Sequence, residues 1–152
     1  MKTLKYSFAL FFIVLILSFA STGFTAKSRG GDPWRADQLI RPDVLATLVN
    51  SGIGRMPVIL NIGIMSNIKG AVAVGAADNP DGLKKLDQKL KTFSKSQPII
   101  IYCGCCPLYK CPNVRPAFKL LQSEGFTHIQ VLDIEHNLRI DWIGKGYPVE
   151  KD

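Results

Sequence analysis

The amino-acid sequence predicts an α/β domain with a central parallel sheet flanked by helices. Two apolar runs, "PVILNI" (57–62) and "PIIIY" (98–102), are continuous rather than alternating and rich in β-branched residues, as in strands covered on both faces. Segments with apolar residues at helical spacing separate such runs. Strand and helix patterns then alternate along the chain, which is how crossover helices join parallel strands. The 152 residues, 47% apolar and 20% charged, suffice for one globular core and argue against disorder or a multi-span membrane protein.

The elements follow in chain order. Residues 1–23 carry Lys2 and Lys5, an apolar stretch from Phe8 to Ala20 interrupted by Ser18, and then small residues, the layout of a signal peptide cleaved after Gly23. Its thirteen apolar-region residues are short against the roughly 20 that span a bilayer, so no stable membrane anchor is expected after cleavage. Residues 24–33, polar and glycine-rich, read as a linker, and the domain runs from Trp34 to Asp152. "RPDVLATLVNSG" predicts a helix with Pro42 in its first turn, Val44, Leu45, Leu48 and Val49 on one face, and Gly52 at its end. A first strand at 57–62 and a weaker one at 70–74 precede a helix with Leu83, Leu86, Leu90 and Phe93 in register and lysines on its solvated side. The strand at 98–102 comes next. Beyond the loop that follows it, Asn113 as cap, Pro116 in the first turn and Gly125 in a left-handed position define another helix. "HIQVL" (128–132) is a strand, and "NLRIDWIGKG" a closing helix ended by Gly144 or Gly146.

The export signal implies a periplasmic or secreted protein and changes how cysteines are read, because thiols outside the cytoplasm are not kept reduced. Removing Lys2 and Lys5 lowers the formal charge from +7 to +5. That surplus is dispersed, without a basic run interleaved with aromatics, which argues against nucleic acid and fits a small anionic substrate.

All four cysteines fall within nine residues of "YCGCCPLYKCPNVRPAF", directly after the strand at 98–102. In parallel sheets ligands bind beyond the carboxyl ends of the strands, where this loop must lie. A thiol at a strand end, facing the free N–H groups of the next helix and Arg115, is a nucleophile in an anion-binding cradle. Stabilising disulfides are a poor alternative, since bridges within so short a segment restrain little of the unfolded chain. A reversible Cys103–Cys106 pair has the CxxC spacing of thiol oxidoreductases. Four thiolates at Cys103, Cys105, Cys106 and Cys111 could instead hold Zn or Cu(I), although the bunched spacing departs from paired zinc knuckles.

From about Pro57 to Glu150 the chain resembles the rhodanese-like domain family. The resemblance is carried by "NIKGAV" (67–72), with Asn67 in the place of a family histidine, by "PIIIYC", by "VRPAFKLLQSEGFTHIQVLD" and by "DWIGKGYPVE", in the family's order. It implies a sulfurtransferase without a cofactor, in which Cys103 takes sulfur from an anionic donor such as thiosulfate as a persulfide and Arg115 closes the loop around the anion. Cys105, Cys106 and Cys111 would serve as resolving thiols, with a thiol-redox protein as partner. The chain departs from the family pattern at three places. Eleven residues separate Cys103 from Arg115, a longer loop than usual, whereas three separate Cys111 from Arg115, making Cys111 an alternative nucleophile. Asn61 and Gly63 replace the usual aspartate and arginine, and a double glycine after "VLD" is missing. The alternative function is a thiol-redox or metal-handling module without transferase activity.

Among other candidates, His136 and Glu135 follow the strand at 128–132 and could supply a base or ligand. Met65 could lend a soft ligand to Cu(I). Trp142 and Tyr147 are expected to pack the end of the domain.

Overall fold

A computed structural model describes residues 31–52, 54 and 56–151, so the expected signal peptide at 1–23 and residues 24–30 of the expected linker lie outside the described residues. Strands β1 (Leu39–Ile40), β2 (Val58–Asn61), β3 (Val72–Ala73), β4 (Ile99–Tyr102) and β5 (Ile129–Leu132) pair in parallel in the order β1-β5-β4-β2-β3. Helices α1 (Pro42–Ser51), α2 (Pro80–Leu90), α3 (Val114–Ser123) and α4 (Leu138–Asp141) cover the sheet. Leu86 and Leu90 of α2 and Ala117, Phe118 and Leu121 of α3 pack in one apolar layer, while Leu45 of α1 and Leu138 of α4 pack in the other.

β4 is central and buried at every position, which is why its sequence is an unbroken apolar run. Side chains nevertheless alternate: Ile99 and Ile101 enter the α2–α3 layer, Ile100 and Tyr102 the opposite one. β2 pairs with it along its whole length, from Val58 opposite Ile99 to Asn61 opposite Tyr102. Tyr102 is fixed on its own side, its hydroxyl accepting from the Ile68 N–H at 2.9 Å and donating to the Ser66 carbonyl at 3.2 Å. Burial pushes its ionisation up to about 12.

The structure corrects three expectations. α1 buries Leu45 and Ala46, while Val44 and Leu48 of the expected face are 46% and 37% exposed, because the short helix meets the sheet along a narrow strip. The closing helix is a single turn, Leu138–Asp141, followed by a 3-10 turn that ends at Gly146, one of the two expected ends. β1 was not anticipated; its two residues are too few to show a periodicity, and they form a strand by pairing with Val131 and Leu132. Gly125 adopts the expected left-handed conformation, φ +81°. Trp142 is fully buried, donates from Nε1 to the Pro148 carbonyl at 2.9 Å and meets Tyr147 edge-on at 5.3 Å, as expected of residues closing the domain. Among the described residues no helix is long and apolar enough to cross a membrane.

Candidate functional site

The chain leaves β2 toward edge strand β3 and leaves β4 in the opposite direction, toward β5. The carboxyl ends of these neighbouring strands therefore diverge, opening the crevice in which parallel α/β sheets bind ligands. Cys103, one residue beyond β4, and Gly63, two residues beyond β2, face each other across it.

Strand parity aims the sulfur. Cys103 continues the alternation of Ile99 and Ile101, so its side chain falls in the layer that holds α3. A Cβ on Gly63 would lie 2.6 Å from Cys103 Sγ and 2.6 Å from its carbonyl oxygen, so the absence of a side chain at 63 makes the space for the thiol. This gives a physical reason for the glycine where the resemblance leads one to expect arginine. Gly104 then turns the chain with φ +78°, and a Cβ there would lie 2.8 Å from Leu138 Cβ. Its carbonyl accepts the Leu138 N–H at 2.8 Å, tying the loop to the start of α4.

The loop returns through a 3-10 turn at Leu108–Lys110 to Cys111, just before α3. Cys103, Cys105 and Cys111 bring their sulfurs within 4.8 Å of one another. Cys103 and Cys111 are buried, Cys105 is exposed, and Cys106 is partly exposed beside it. Sγ–Sγ contacts of 3.2 Å (Cys103–Cys105) and 3.3 Å (Cys105–Cys106) form a chain from the interior to the surface.

The two buried thiols are driven apart in acidity. Cys111 is pulled well below the ordinary thiol range chiefly by the neighbouring Cys103 thiol, reinforced by the backbone N–H groups of Asn113 and Val114 at the α3 N-terminus, which outweigh its burial. Cys103 is pushed up by the same contact and by burial, and the N–H of Cys105 only partly opposes this. The pair therefore favours a Cys111 thiolate beside a Cys103 thiol. Cys106 is raised mainly by desolvation.

Asn113 departs from its expected role as side-chain cap. It stands before α3 with helical φ −78° and ψ −35°, makes no side-chain capping bond, and instead donates from Nδ2 to Cys103 Sγ at 3.2 Å. Its Oδ1 is the one buried side-chain oxygen or nitrogen without a partner among the described residues. Arg115 is engaged elsewhere: its guanidinium donates to Asp32 Oδ1 at 2.6 Å, to the Tyr109 carbonyl at 3.0 Å and to the Cys111 carbonyl at 3.3 Å, and lies 5.5 Å from the Trp34 ring centre. It holds the outside of the loop. Asp32, within the expected linker, thereby becomes part of the domain's packing.

On the opposite side of the crevice Asn61 organises the β2 loop. Its Nδ2 donates to the Met65 carbonyl at 2.7 Å and to Asn67 Oδ1 at 3.0 Å, and its Oδ1 accepts the Gly63 N–H at 3.0 Å. Asn67, in the place of a family histidine, is thus a structural partner. Met65 packs against the α1–α4 layer, on the other side of the sheet from the three sulfurs. His136 is paired with Asp141, Nδ1 to Oδ1 at 3.1 Å, and neither it nor Glu135 joins the thiol group. Glu135 and Asp141 instead line a groove of about 930 Å³ with Arg41 and Lys145, which also takes in Asp32 and, from the cysteine loop, Leu108 and Tyr109 but none of the sulfurs. The contributions of Gly63 and Asp32 escaped sequence reasoning; for Gly63 the available signal was a glycine at the site of an expected side chain.

No protein-family model matches the sequence, and no curated protein matches it significantly. Solved structures do. The rhodanese-like domain of the Alr3790 protein from Anabaena sp matches with a TM-score of 0.55 at 22% identity, over 76% of this chain and 80% of that one. A crystal structure of the same protein matches with a TM-score of 0.55 at 22% identity, over 73% and 90%. The single domain sulfurtransferase RDL2 of Saccharomyces cerevisiae matches with a TM-score of 0.51 at 14% identity, over 72% and 90%. At these identities the correspondence is one of architecture, and it coincides with the resemblance read from the sequence: the chain has the fold of the rhodanese-like domains.

Proposed function

We propose that this chain is an exported sulfurtransferase-type protein that carries sulfane sulfur as a cysteine persulfide on the loop between β4 and α3. One observation carries the reading: two buried thiols meet at the crevice between β2 and β4, one of them, Cys111, lying just before the N-terminus of α3. Such a site stabilises a thiolate and any anion that approaches it. Cys111 is the attacking group. Its thiolate displaces sulfite from the outer sulfur of thiosulfate, the S–S bond of the donor breaking as the new one forms, and leaves Cys111–S–S⁻ with sulfite as the leaving group.

Cys103, whose sulfur lies within 4.8 Å of this one, is the adjacent acceptor, while Cys105 and Cys106 lead outward. A thiol-redox protein or another thiophilic acceptor would collect the sulfur at the exposed Cys105. Arg115 acts as a positioning residue, fixing the carbonyl of Cys111.

Intact mass spectrometry of reduced protein treated with thiosulfate tests this. The expected result is a gain of one sulfur, matched by one sulfite released and lost in Cys111→Ser. A gain that survives in Cys111→Ser and disappears in Cys103→Ser would move the nucleophile to Cys103; no gain in the wild type would refute the function.

A further inference from the structure

We propose that Cys103, Cys105 and Cys111 form a three-coordinate thiolate site for a soft monovalent metal, Cu(I), from which Cys106 is excluded. Three sulfurs already lie within 4.8 Å of one another, without a carboxylate or imidazole in the group. A planar centre with metal–sulfur bonds of about 2.3 Å needs its sulfurs about 4 Å apart. The separations here are compatible with that value: Cys103 and Cys105, at 3.2 Å, must open slightly, and no pair, all being within 4.8 Å, has to close by more than about an ångström.

Ligand type and number select the ion. Thiolates alone favour soft metals. Zinc in a structural site takes four ligands tetrahedrally, and the only remaining cysteine, Cys106, does not lie within the same distance of all three sulfurs. Hard cations such as Mg and Ca require oxygen donors, which this group lacks.

The surroundings suit an anionic complex. Three thiolates around one Cu(I) carry two negative charges, and the α3 N-terminus directs the Asn113 and Val114 N–H groups at Cys111. The Asn113 carboxamide holds the Cys103 sulfur at 3.2 Å, the kind of outer contact that orients a ligand. Cys105 is exposed, giving the ion a way in, while the other two sulfurs are shielded from solvent.

The test is an anaerobic titration of the reduced full chain with Cu(I) held by a coloured Cu(I) chelator, with thiosulfate absent so that the outcome is independent of sulfur transfer. The expected result is one Cu(I) withdrawn per chain, with sulfur-to-copper charge-transfer absorption in the ultraviolet. Affinity should fall by more than about 100-fold in Cys105→Ser, whose exposed position makes it safe for folding, and by about 10-fold in Asn113→Ala, as for loss of an outer contact. It should be unchanged in Cys106→Ser. The proposal is overturned if the chelator keeps the copper, if Cys106→Ser loses as much affinity as Cys105→Ser, or if the protein takes up Zn(II) through all four sulfurs in preference to Cu(I).

Discussion

Two loops face each other across the crevice, and they are built to opposite specifications. The β2 loop is closed on itself: the buried Asn61 spends both ends of its carboxamide on residues 63, 65 and 67, and among the described residues no buried side-chain nitrogen or oxygen there lacks a partner. The β4 loop gathers three sulfurs and leaves Asn113 Oδ1 unpaired, although both loops turn an apolar side chain to solvent, Ile64 in one and Tyr109 in the other. A folded chain tolerates unsatisfied or crowded polar groups at a cost, and here that cost is confined to one of two adjacent loops. On the proposed function, the β2 loop is the scaffold and the β4 loop carries the chemistry.

The comparison predicts that damage to the scaffold loop is read mainly in stability. Asn61→Ala should cost about 3 kcal/mol, because it leaves the Gly63 N–H and the Met65 carbonyl buried or half-buried without their partner. Urea unfolding of the reduced protein checks this, and a loss below about 1 kcal/mol would mean that water replaces the carboxamide without penalty. Gly63→Ala should cost somewhat less, about 2 kcal/mol, as overpacking does. Its added Cβ meets Cys103 Sγ and carbonyl at 2.6 Å, so unlike Asn61→Ala it should also displace the sulfur and slow its alkylation or sulfur uptake. Equal thiol reactivity in the two variants would break the link between the loops.

Asn113→Ala should do the reverse. It removes one hydrogen bond to sulfur together with one orphaned oxygen, and these changes largely offset, leaving stability within about 1 kcal/mol of wild type. Reactivity at Cys103 should nevertheless change, which a thiol-labelling rate followed by peptide mapping would detect. A stability loss as large as that of Asn61→Ala would show that Asn113 is scaffold after all.

The distinction between the loops was only half legible in the sequence. β2, β4 and β5 were readable because burial on both faces writes continuous apolar runs, and the position of the cysteine loop followed from the carboxyl-end rule for parallel sheets. Asn113 was misread because asparagine before a helix is so often a cap, and only the folded geometry shows its amide turned to Cys103. Arg115 was expected at the anion; its partner Asp32 is 83 positions away, a separation that no local pattern encodes. α1 misled for a third reason, since helical periodicity marks an apolar stripe without saying how much of it the sheet covers.

The smallest effect concerns pH, and its sign follows from the two buried thiols. Cys111 ionises lower in the folded chain than in the unfolded one, so between its folded value and the ordinary thiol value of about 8.5 the unfolded chain binds more protons and stability rises with pH. Cys103 and Cys106 ionise higher when folded, so above about 8.5 the folded chain retains protons that the unfolded chain has lost and stability falls. The thiol contribution should therefore peak near the ordinary thiol value. Urea midpoints of reduced wild type and Cys111→Ser, measured across this range, isolate it: the variant should lose the rise on the acidic side, while Cys105→Ser, outside the buried pair, should retain it. Parallel profiles for wild type and Cys111→Ser would mean that Cys111 keeps its proton in the folded chain as an ordinary thiol does, and the β4 loop would then differ from its neighbour in crowding but not in charge.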